Sequence, residues 1–416
     1  MSVPKLRFPI TDSEWYEKSI IDLADYVDYR GKTPNKTDSG VFLVTAKNIK
    51  QGYIDYESSQ EFIDPSEYDE VMRRGKPKIG DVLITTEAPL GNVATIDKEN
   101  IALAQRVIKY RGKEKLLQNS FLKQLFLSPS FQMELISKAT GGTVQGIKGS
   151  VLHQIKVCIP NIKEQTKIAN FLSSVDEKIS LLNKQYNLLC EYKKSAIQKI
   201  FSQELKFRNE NGNAYPAWKI KPFRTVYSLL GTNSLSRNEL NYENGIIKNI
   251  HYGDIHTKFN CRFDINKELV PYISDHIKIA EDNFCRKGDL VIADASEDYN
   301  DIGKCIEIMN VGQRQMVAGL HTFLARPSTH MAPGFGCYMM QSSEVRKQIK
   351  VIATGVSVLS ITKKNLLELM VPLPSIDEQT KIANFLASVD DKIIIKKSEL
   401  DRLTTWKQGL LQQMFI

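Results

Sequence analysis

The sequence predicts an α+β fold in which two similar β-rich globular domains are separated by two long helices. The helices are expected to form an antiparallel coiled coil, so that the whole is pseudo-twofold symmetric. Three observations lead to this prediction: a segment that occurs twice, a long heptad pattern that begins in each copy of that segment, and a stretch of short β-rich segments before each copy. Because a repeat defines the structural unit, it is considered before any single motif.

The repeated segment spans residues 164–179 and returns at 378–393, with 14 of 16 positions identical. The lead-in to each domain is repeated as well. Residues 5–8 (Lys-Leu-Arg-Phe) precede Trp15, and residues 204–208 (Glu-Leu-Lys-Phe-Arg) precede Trp218. The repeat therefore covers a lead-in, a globular part and a helix, which is about half of the protein.

Apolar residues continue beyond each copy in steps that alternate between four and three, for about 40 residues, which predicts helices roughly 60 Å long. The first stripe contains Ile168, Leu172, Val175, Ile179, Leu182, Tyr186, Leu189, Lys193, Ala196 and Ile200, and the second contains Ile382, Leu386, Val389, Ile393, Lys396, Leu400, Leu403, Lys407, Leu410 and Met414. A core-facing helix would also carry a stripe, but two copies in one register, longer than usual helices, favour a coiled coil.

Lys193 and Lys407 occupy apolar positions of this seam. A charged residue there costs stability unless its stem packs and its amine reaches water, an arrangement that can fix register. Both residues lie near helix ends. We therefore interpret them as exposed by fraying.

Composition sets outer bounds on the function. The 416 residues carry a net charge of +8, which permits nucleic-acid binding without requiring it. There is no apolar run near 18 residues and no basic and apolar leader, so a soluble, cytoplasmic protein without membrane contact is expected. The six cysteines are scattered without CxxC spacing, which is typical of free thiols in a reducing compartment.

Turn signals and short apolar runs divide the rest of the chain. We predict a first globular domain at 1–158, a long helix at 159–205, a linker at 206–221, a second globular domain at 222–372 and a second helix at 373–416. Short anchors pair the two domains: 46–49 with 247–250, 79–82 with 287–290, and 139–141 with 353–355. Elsewhere the domains differ, which suggests one scaffold with two different surfaces.

The order of these segments predicts the topology. Each domain precedes its own helix, and a linker of about 15 residues is too short to run back along a 60 Å helix and still leave room for a domain. The second domain should therefore lie near the far end of the first helix. The two helices should run antiparallel, and the lead-in at residue 1 should lie near the end of the second helix.

No enzyme motif is recognisable in the sequence. Lys32 and Thr33 follow a glycine, but the earlier glycine of a phosphate-binding loop is replaced by Tyr26. No dinucleotide or S-adenosylmethionine fingerprint and no methyltransferase tetrapeptide occurs. His251 and His256 lack a ligand pattern around them, so no metal is expected. These absences favour a binding protein over a catalyst.

Several residues have the chemistry of DNA contacts. The turn Tyr29, Arg30, Lys32 and Thr33 in the first domain offers cations, a hydroxyl and a ring, which suit phosphates or a guanine edge. Lys47 and Asn48 follow a predicted strand, and we place Lys248, Asn249, His251 and Tyr252 at the equivalent position of the second domain. Asn suits adenine, and Lys suits guanine or phosphate. The alternative is that these are ordinary exposed loop residues.

The duplicated Glu-Gln-x-x-Ile-Ala-x-Phe-Leu helix resembles the specificity subunit of type I restriction-modification systems. The Tyr-Arg-Gly-Lys-Thr-Pro stretch at 29–34 and the Lys-Asn-Ile stretches look like pieces of its target recognition domains. Pro160 and Pro372 to Pro374 stand where that family leaves a domain for a helix. The resemblance covers essentially the whole chain.

The resemblance implies that each domain reads half of a bipartite site in double-stranded DNA while the helices fix the spacer, at about one duplex turn between half-sites. It implies two modification (methyltransferase) subunits that methylate adenine N6, and restriction subunits that translocate and cleave DNA. This chain would hold no cofactor. S-adenosylmethionine, ATP and Mg²⁺ are expected in the partner subunits.

Identical polar residues in the two helix copies go beyond what a coiled-coil seam needs. They are Gln165, Asn170 and Asp176 in the first copy and Gln379, Asn384 and Asp390 in the second. We predict that they form exposed faces for two copies of one partner, although a recent duplication would also explain the identity. The competing function classes are a coiled-coil scaffold with two protein-binding ends and a stand-alone enzyme with an unfamiliar site.

Overall fold

The computed structural model describes residues 4–8, 14–29, 34–274, 277, 279–313 and 315–416. Helices and sheets are mixed throughout, which confirms the α+β class. The chain divides into two compact units: unit 1 consists of Met1–Lys184 and Lys397–Ile416, and unit 2 of Gln185–Lys396. The divisions fall inside the long helices, so the finer domain boundaries given above stay predictions. Within the described ranges, no helix has the length and apolar character needed to cross a lipid bilayer.

Unit 1 begins with short strands and helices that lead into the first long helix. Its strands are β1 (Tyr16–Ser19), β2 (Ala24–Asp28), β3 (Val41–Val44), β4 (Phe62–Ile63), β5 (Val82–Thr86), β6 (Leu90–Thr95), β7 (Ile101–Leu103), β8 (Val107–Gly112) and β9 (Lys156–Ile159). Its helices are α1 (Ile20–Leu23), α2 (Tyr68–Val71), α3 (Asn119–Leu127), α4 (Pro129–Ser137), α5 (Gly149–His153) and the start of α6 (Ile162–Phe201).

Three sheets build unit 1. Their strand orders are β2-β8-β5-β6, β4-β3-β7 and β1-β9. Strand β5 is central and all five of its residues are buried, as expected for a β-prone Val-Leu-Ile-Thr-Thr run covered on both faces. Helix α4 begins at Pro129, and the Ser128 hydroxyl accepts a hydrogen bond from the Phe131 amide, which satisfies a donor that the helix leaves open.

Unit 2 repeats this plan with more strands. They are β10 (Lys219–Pro222), β11 (Tyr227–Leu230), β12 (Leu240–Asn241), β13 (Ile247–Ile250), β14 (Arg262–Asp264), β15 (Tyr272–Ile273), β16 (Leu290–Ala293), β17 (Ala295–Ser296), β18 (Cys305–Asn310), β19 (Gln315–Ala318), β20 (Thr322–Pro327), β21 (Leu359–Ser360) and β22 (Met370–Leu373). Its helices are α7 (Tyr252–Thr257), α8 (Phe335–Gln341), α9 (Ser343–Ile352), α10 (Lys363–Leu367) and the start of α11 (Ile376–Met414). The sheet orders are β11-β20-β16-β18-β14, β12-β15-β13-β19, β10-β22 and β17-β21.

The Gly-Asp anchors of the two domains place the same buried ion pair in each unit. Asp81 accepts two hydrogen bonds of 2.6 Å from Arg111, and Asp289 accepts bonds of 3.1 and 2.8 Å from Arg326. Both aspartates are 1% exposed. A paired guanidinium offsets the cost of burying the carboxylate. The anchor therefore belongs to the scaffold.

Helices α6 and α11 pack antiparallel inside each unit, which confirms the coiled-coil prediction. In unit 1 the start of α6 shares a core with the end of α11, as Leu172 and Met414 illustrate. In unit 2 the end of α6 shares a core with the start of α11, as Ile200 and Leu386 illustrate.

The seam lysines are ion-paired, so their interpretation as frayed and exposed is wrong. Lys407 Nζ lies 2.5 Å from Asp176 Oδ1, and Lys193 Nζ lies 2.6 Å from Asp390 Oδ1. Burial would raise the pKa of Asp176, but Lys123 and Lys407 outweigh it and hold that pKa below its usual value.

The two lead-ins make equivalent contacts. The Leu205 amide donates to the Lys199 carbonyl at 2.9 Å, and the Leu6 amide donates to the Gln413 carbonyl at 3.0 Å. Lys199 and Gln413 are equivalent positions of the two long helices. The N-terminal lead-in therefore lies at the end of the second helix, as the order of segments predicts.

Candidate nucleic-acid interface

Three chain segments meet at one end of the main sheet in unit 1. The Thr86 amide donates to the Arg106 carbonyl at 2.9 Å, and the Ile147 amide donates to the Thr86 carbonyl at 2.9 Å. These bonds join the turn at 86–87, the turn at 105–106 and the hairpin loop at 140–148, which we call loop cluster 1. A cavity of about 430 Å³ lies between them.

Loop cluster 1 has the side chains of a nucleic-acid surface. Arg106 and Lys148 are exposed cations, and Gln105 and Thr140 add an exposed amide and hydroxyl. Arg106 lies 3.7 Å from Glu87, and both side chains are about half exposed, so this pair is open to exchange for another anion. Cations, amides and hydroxyls of this kind contact phosphates and base edges.

The hairpin loop needs glycine at its sharpest point. Gly141 has φ +117°, and a Cβ there would lie 2.2 Å from the Val144 carbonyl oxygen. Gly355 in unit 2 has φ +129°, with the Val358 carbonyl oxygen at 2.1 Å. The Ala-Thr-Gly anchor found in the sequence is therefore a backbone requirement of this loop.

Unit 2 holds an equivalent assembly through the same backbone bonds. The Asp294 amide donates to the His321 carbonyl at 3.1 Å, and the Ile361 amide donates to the Asp294 carbonyl at 2.9 Å. We call residues 294–295, 320–321 and 354–362 loop cluster 2. The exposed tip of its hairpin carries Val356 and Val358. Apolar tips of this kind suit the methyl group of thymine.

The chemistry of loop cluster 2 differs from that of loop cluster 1. His321 occupies the place of Arg106, and its Nδ1 lies 3.3 Å from Asp294 Oδ1. Burial raises the pKa of Asp294, and His321 offsets part of that shift. The ring of Tyr252 lies 5.2 Å from the His321 ring in an edge-on contact. Of the predicted DNA-binding residues, Tyr252 therefore adjoins this cluster.

The first-domain predictions have mixed outcomes. Tyr29 is buried, and its hydroxyl donates to the Gly75 carbonyl at 2.5 Å. Burial raises its pKa, with a further contribution from Asp81. Tyr29 is thus a core residue, which corrects its prediction as a DNA contact. Arg30, Lys32 and Thr33 lie outside the described residues.

Asn48 also has no free edge for a base. It is fully buried, and its Oδ1 accepts from the amide and the hydroxyl of Thr45. Its Nδ2 donates to the carbonyls of Asp55 and Ser59. The prediction of adenine reading by Asn48 is therefore corrected to a turn-bracing role. Lys47 is exposed and stays a candidate for phosphate contact.

The expected equivalence of 46–49 with 247–250 is wrong by five residues. In unit 1 the Ala104 amide, shortly before the left-handed turn residue Arg106, donates to the Val44 carbonyl. In unit 2 the Gly319 amide, shortly before the left-handed turn residue His321, donates to the Ile250 carbonyl. Val44 therefore corresponds to Ile250. By the same count Asn48 corresponds to Asp254.

The remaining second-domain candidates are largely internal. Lys248 is 8% exposed, with its amine 5.1 Å from the centre of the Tyr272 ring. Asn249 is fully buried and its Oδ1 accepts from Asn233. These two placements argue against base reading, because neither side chain presents a free polar edge at the surface.

His251 is also a structural residue. Its Nδ1 accepts from the Gly253 amide at 3.1 Å and caps α7. Burial lowers its pKa, and Arg237 lowers it further. Among the described residues, no group of three His, Cys, Asp or Glu side chains is placed to hold a metal ion.

The predicted partner faces need correction too. Gln165 is fully buried: it accepts from the Gln118 amide at 3.0 Å and donates to the carbonyls of Leu116 and Pro160, both at 2.9 Å. Gln379 accepts from the Ala332 amide and donates to the Pro374 carbonyl. These two glutamines attach each domain to its helix, which explains their identity without a partner.

The two aspartates and two asparagines divide in the same way. Asp176 forms an ion pair with Lys407 and accepts a hydrogen bond from Gln124 of its own domain. Asp390 forms an ion pair with Lys193 and accepts a hydrogen bond from Tyr338 of its own domain. Asn170 and Asn384 are exposed. Of the six predicted partner residues, only this pair therefore stays on an open face.

Sequence reasoning missed Arg106, His321 and both hairpin loops. The Ala-Thr-Gly anchors lie in these loops, but no pattern indicates that the turn at 105–106 packs against them, since the residues of that turn differ completely between the units. Hydrogen bonds between distant backbone groups bring these segments together.

Two units of one fold, each with a loop cluster of different chemistry, define a duplicated nucleic-acid-recognition protein. The family profile described as the type I restriction modification DNA specificity domain matches residues 12–191 and 312–405, well over half of the chain. The chain belongs to this family and is a DNA specificity subunit of the type I restriction-modification class. The family match does not favour a coiled-coil scaffold protein.

Named relatives agree with this assignment. The chain is 24% identical to the type I restriction enzyme MjaVIII specificity subunit of Methanocaldococcus jannaschii, over 98% of this chain and 92% of that protein. It is 27% identical to a putative specificity subunit of Haemophilus influenzae over 34% of this chain and 35% of that protein. The fold is similar to the crystal structure of a type I S subunit from M. genitalium, with a TM-score of 0.60, 16% identity and coverage of 100% and 99%.

Proposed function

We propose that loop cluster 1 and loop cluster 2 each read one half of a bipartite DNA site and that α6 and α11 set the unread spacer. One observation carries the proposal: the same backbone bonds hold both clusters, while the side chains on them differ. Arg106 corresponds to His321, and Gln105 corresponds to Leu320. A scaffold that is kept while its presented surface changes is what two different half-sites require.

In loop cluster 1, Arg106 and Lys148 would provide phosphate contacts or a guanine contact, and Gln105 would suit adenine. Lys47 is a further candidate for a phosphate contact. In loop cluster 2, His321 and Tyr252 would contact the backbone or a base edge, and the exposed valines would contact thymine methyl groups. The two half-sites should therefore differ in sequence.

This chain would act without catalysis of its own. Two modification subunits would dock at the helix faces that carry Asn170 and Asn384, and restriction subunits would complete the complex. S-adenosylmethionine, ATP and Mg²⁺ would be bound by those partners. The equivalent exposure of the two asparagines supports a pair of identical partners.

The test is to co-express the chain with a type I modification subunit that forms a stable complex with it, in a methylation-free host, and to map N6-methyladenine across the genome. The expected result is one bipartite motif with modified adenines on opposite strands on either side of a fixed gap. A stable complex that produces no methylation, or methylation at a single continuous motif, would overturn the proposal.

A further inference from the structure

A cavity of about 350 Å³ lies in unit 2, outside the residues of loop cluster 2. Three cations from different parts of the chain line it: Lys193 of α6, Lys304 of the turn before β18, and Arg346 of α9. Asn260 and Gln341 line it as well, and their side-chain amides can donate hydrogen bonds. The lining therefore has the donors and the charge of an anion site.

Arg346 is the cation that this cavity leaves without a carboxylate partner. Its Nη2 donates to the Asn300 carbonyl at 2.8 Å, and among the described residues no carboxylate oxygen lies within 4.0 Å of its guanidinium. Arg326 of the same unit, by contrast, lies 2.8 Å from Asp289. Burial lowers the pKa of Arg346, so an anion that reached this side chain would be stabilising.

The two lysines of the cavity are better balanced. Lys193 Nζ lies 2.6 Å from Asp390. Lys304 Nζ lies 3.7 Å from Asp301 and donates to the His256 carbonyl at 2.7 Å. Three cations thus stand against two carboxylates, which leaves one positive charge in excess at the cavity.

Unit 1 has a neutral amide where unit 2 has Arg346. A Cβ at Gly91 would lie 2.6 Å from Gln132 Oε1, and a Cβ at Gly303 would lie 3.6 Å from Arg346 Nη1. The two glycines and the two side chains therefore correspond. In unit 1 the Gln132 amide donates to the Gly91 carbonyl at 3.0 Å, so this position of the scaffold does not require a cation.

The residue that follows each of these glycines changes in the same way. It is Asn92 in unit 1, where the side-chain amide donates to the Ile49 carbonyl at 2.7 Å. It is Lys304 in unit 2, where the amine donates to a backbone carbonyl as well. Two neutral amides of unit 1 are thus replaced by two cations in unit 2, and both cations line the same cavity.

We propose that this cavity binds a small tetrahedral oxyanion of the phosphate class, with Arg346 and Lys304 as the principal contacts and Asn260 and Gln341 as further donors. A guanidinium fork suits two oxygens of such an anion, and an ammonium suits a third. Free phosphate and the phosphate group of a mononucleotide share this chemistry, whereas a DNA duplex is far too wide for the cavity. The proposal is independent of how DNA is read.

Occupancy of the site would join α9 to the turn at 300–304 and stabilise unit 2, because a ligand that binds only the folded state shifts the unfolding equilibrium. The test uses the purified full-length chain in a phosphate-free buffer. It is titrated with sodium phosphate and, separately, with adenosine monophosphate, each against sodium chloride at the same ionic strength.

Thermal unfolding should show a saturable rise of the Tm with phosphate or with the nucleotide, and none with chloride. Saturation at a lower concentration of phosphate would identify the free anion as the ligand, and saturation at a lower concentration of the nucleotide would identify the nucleotide. No saturable rise with either would overturn the proposal.

Variants then locate the site. Arg346→Gln, which introduces the residue of unit 1, should raise the dissociation constant by at least about tenfold in titration calorimetry, because a charge-assisted contact is lost. Lys304→Asn should weaken binding too and serves if the arginine variant does not fold. Lys347→Gln removes a charge at the next, exposed position of α9 and should bind as the unmodified protein does. Unchanged binding in both cavity variants would overturn the assignment.

Discussion

Lys407 and Asp176 form an ion pair inside unit 1, at a position of the helix seam that the heptad pattern assigns to an apolar residue. Lys193 and Asp390 repeat the pair in unit 2, with each member shifted by 214 positions. Each aspartate also contacts its own globular domain. The pair therefore ties the two helices and a domain together, which an apolar seam position would not do.

The Lys407→Met variant should lose roughly 2 kcal/mol of the free energy of unfolding, because the carboxylate of Asp176 stays mostly buried without its main cation. The loss should stay below that of an isolated buried pair, since Lys123 and Gln124 still contact Asp176. Lys397→Met is the matched control, because that lysine pairs with Asp401 on the helix surface. Urea unfolding measures both, and equal losses would contradict a special role for the seam pair.

Gln165→Ala should destabilise unit 1 by about 2 to 4 kcal/mol, because it leaves the Gln118 amide and two carbonyls buried without partners. Asn170→Ala should change stability by less than about 0.5 kcal/mol, since that side chain is exposed. The same Asn170 variant should weaken binding of the modification subunit, measured by titration calorimetry. The opposite pattern would restore Gln165 as a partner residue.

Glu307 should make the stability of unit 2 depend on pH. Burial raises its pKa from 4.5 to about 7, although amides of Gly334 and Cys337 lower it in part. A raised carboxyl pKa means that the folded state binds the proton more tightly than the unfolded state, so stability is present below pH 4.5 and is lost as the pH rises through 7.

The Glu307→Gln variant should flatten this dependence between pH 5 and pH 8, measured by urea unfolding at each pH. Glu297→Gln, at an exposed position, is the control and should keep the slope of the unmodified protein. An unchanged slope in Glu307→Gln would show that other groups set the pH dependence.

The sequence was sufficient for features that repeat or have a period. The 16-residue repeat and the heptad stripe predict the long helices, their antiparallel packing and the place of the first lead-in, all of which the structure contains. The Gly-Asp and Ala-Thr-Gly anchors identify scaffold positions, because an ion pair and a left-handed turn admit few other residues. These constraints are local, so they leave a local signature.

The site was harder to predict, because burial and hydrogen bonding between distant segments produce no periodic pattern in the sequence. Asn48 has the chemistry of a base contact, and Gln165 has the chemistry of a partner contact. The side-chain amide of each is instead hydrogen-bonded to backbone groups elsewhere in the chain. Arg106 and His321 gave no signal, since a turn that varies between units has no repeat to reveal it. The seam lysines were misinterpreted for a related reason, as their aspartate partners lie on the other helix.

Gly355→Ala should weaken recognition by unit 2, because an alanine Cβ would collide with the Val358 carbonyl oxygen in a left-handed turn. The exposed hairpin tip would shift while the core stays intact. Gly142→Ala, in the hairpin of unit 1, is the control, because a Cβ there meets no atom within 4 Å and the change should leave the unit 2 half-site unaltered. Methylation mapping should show partial loss at one half-site for Gly355→Ala, with thermal unfolding of the chain nearly unchanged. Unaltered methylation would exclude the hairpin backbone from recognition.

The most direct test of two separate readers is genome-wide methylation mapping with Arg106→Ala and His321→Ala in parallel, in complexes with the modification subunit. Lys156→Ala and His330→Ala are the matched controls, since both residues are exposed and lie outside the loop clusters. Each site variant should relax or abolish recognition at a different half of the motif and leave the other half and the spacer unchanged. If either variant alters both halves, or if neither alters any base, the two loop clusters are not independent readers of DNA.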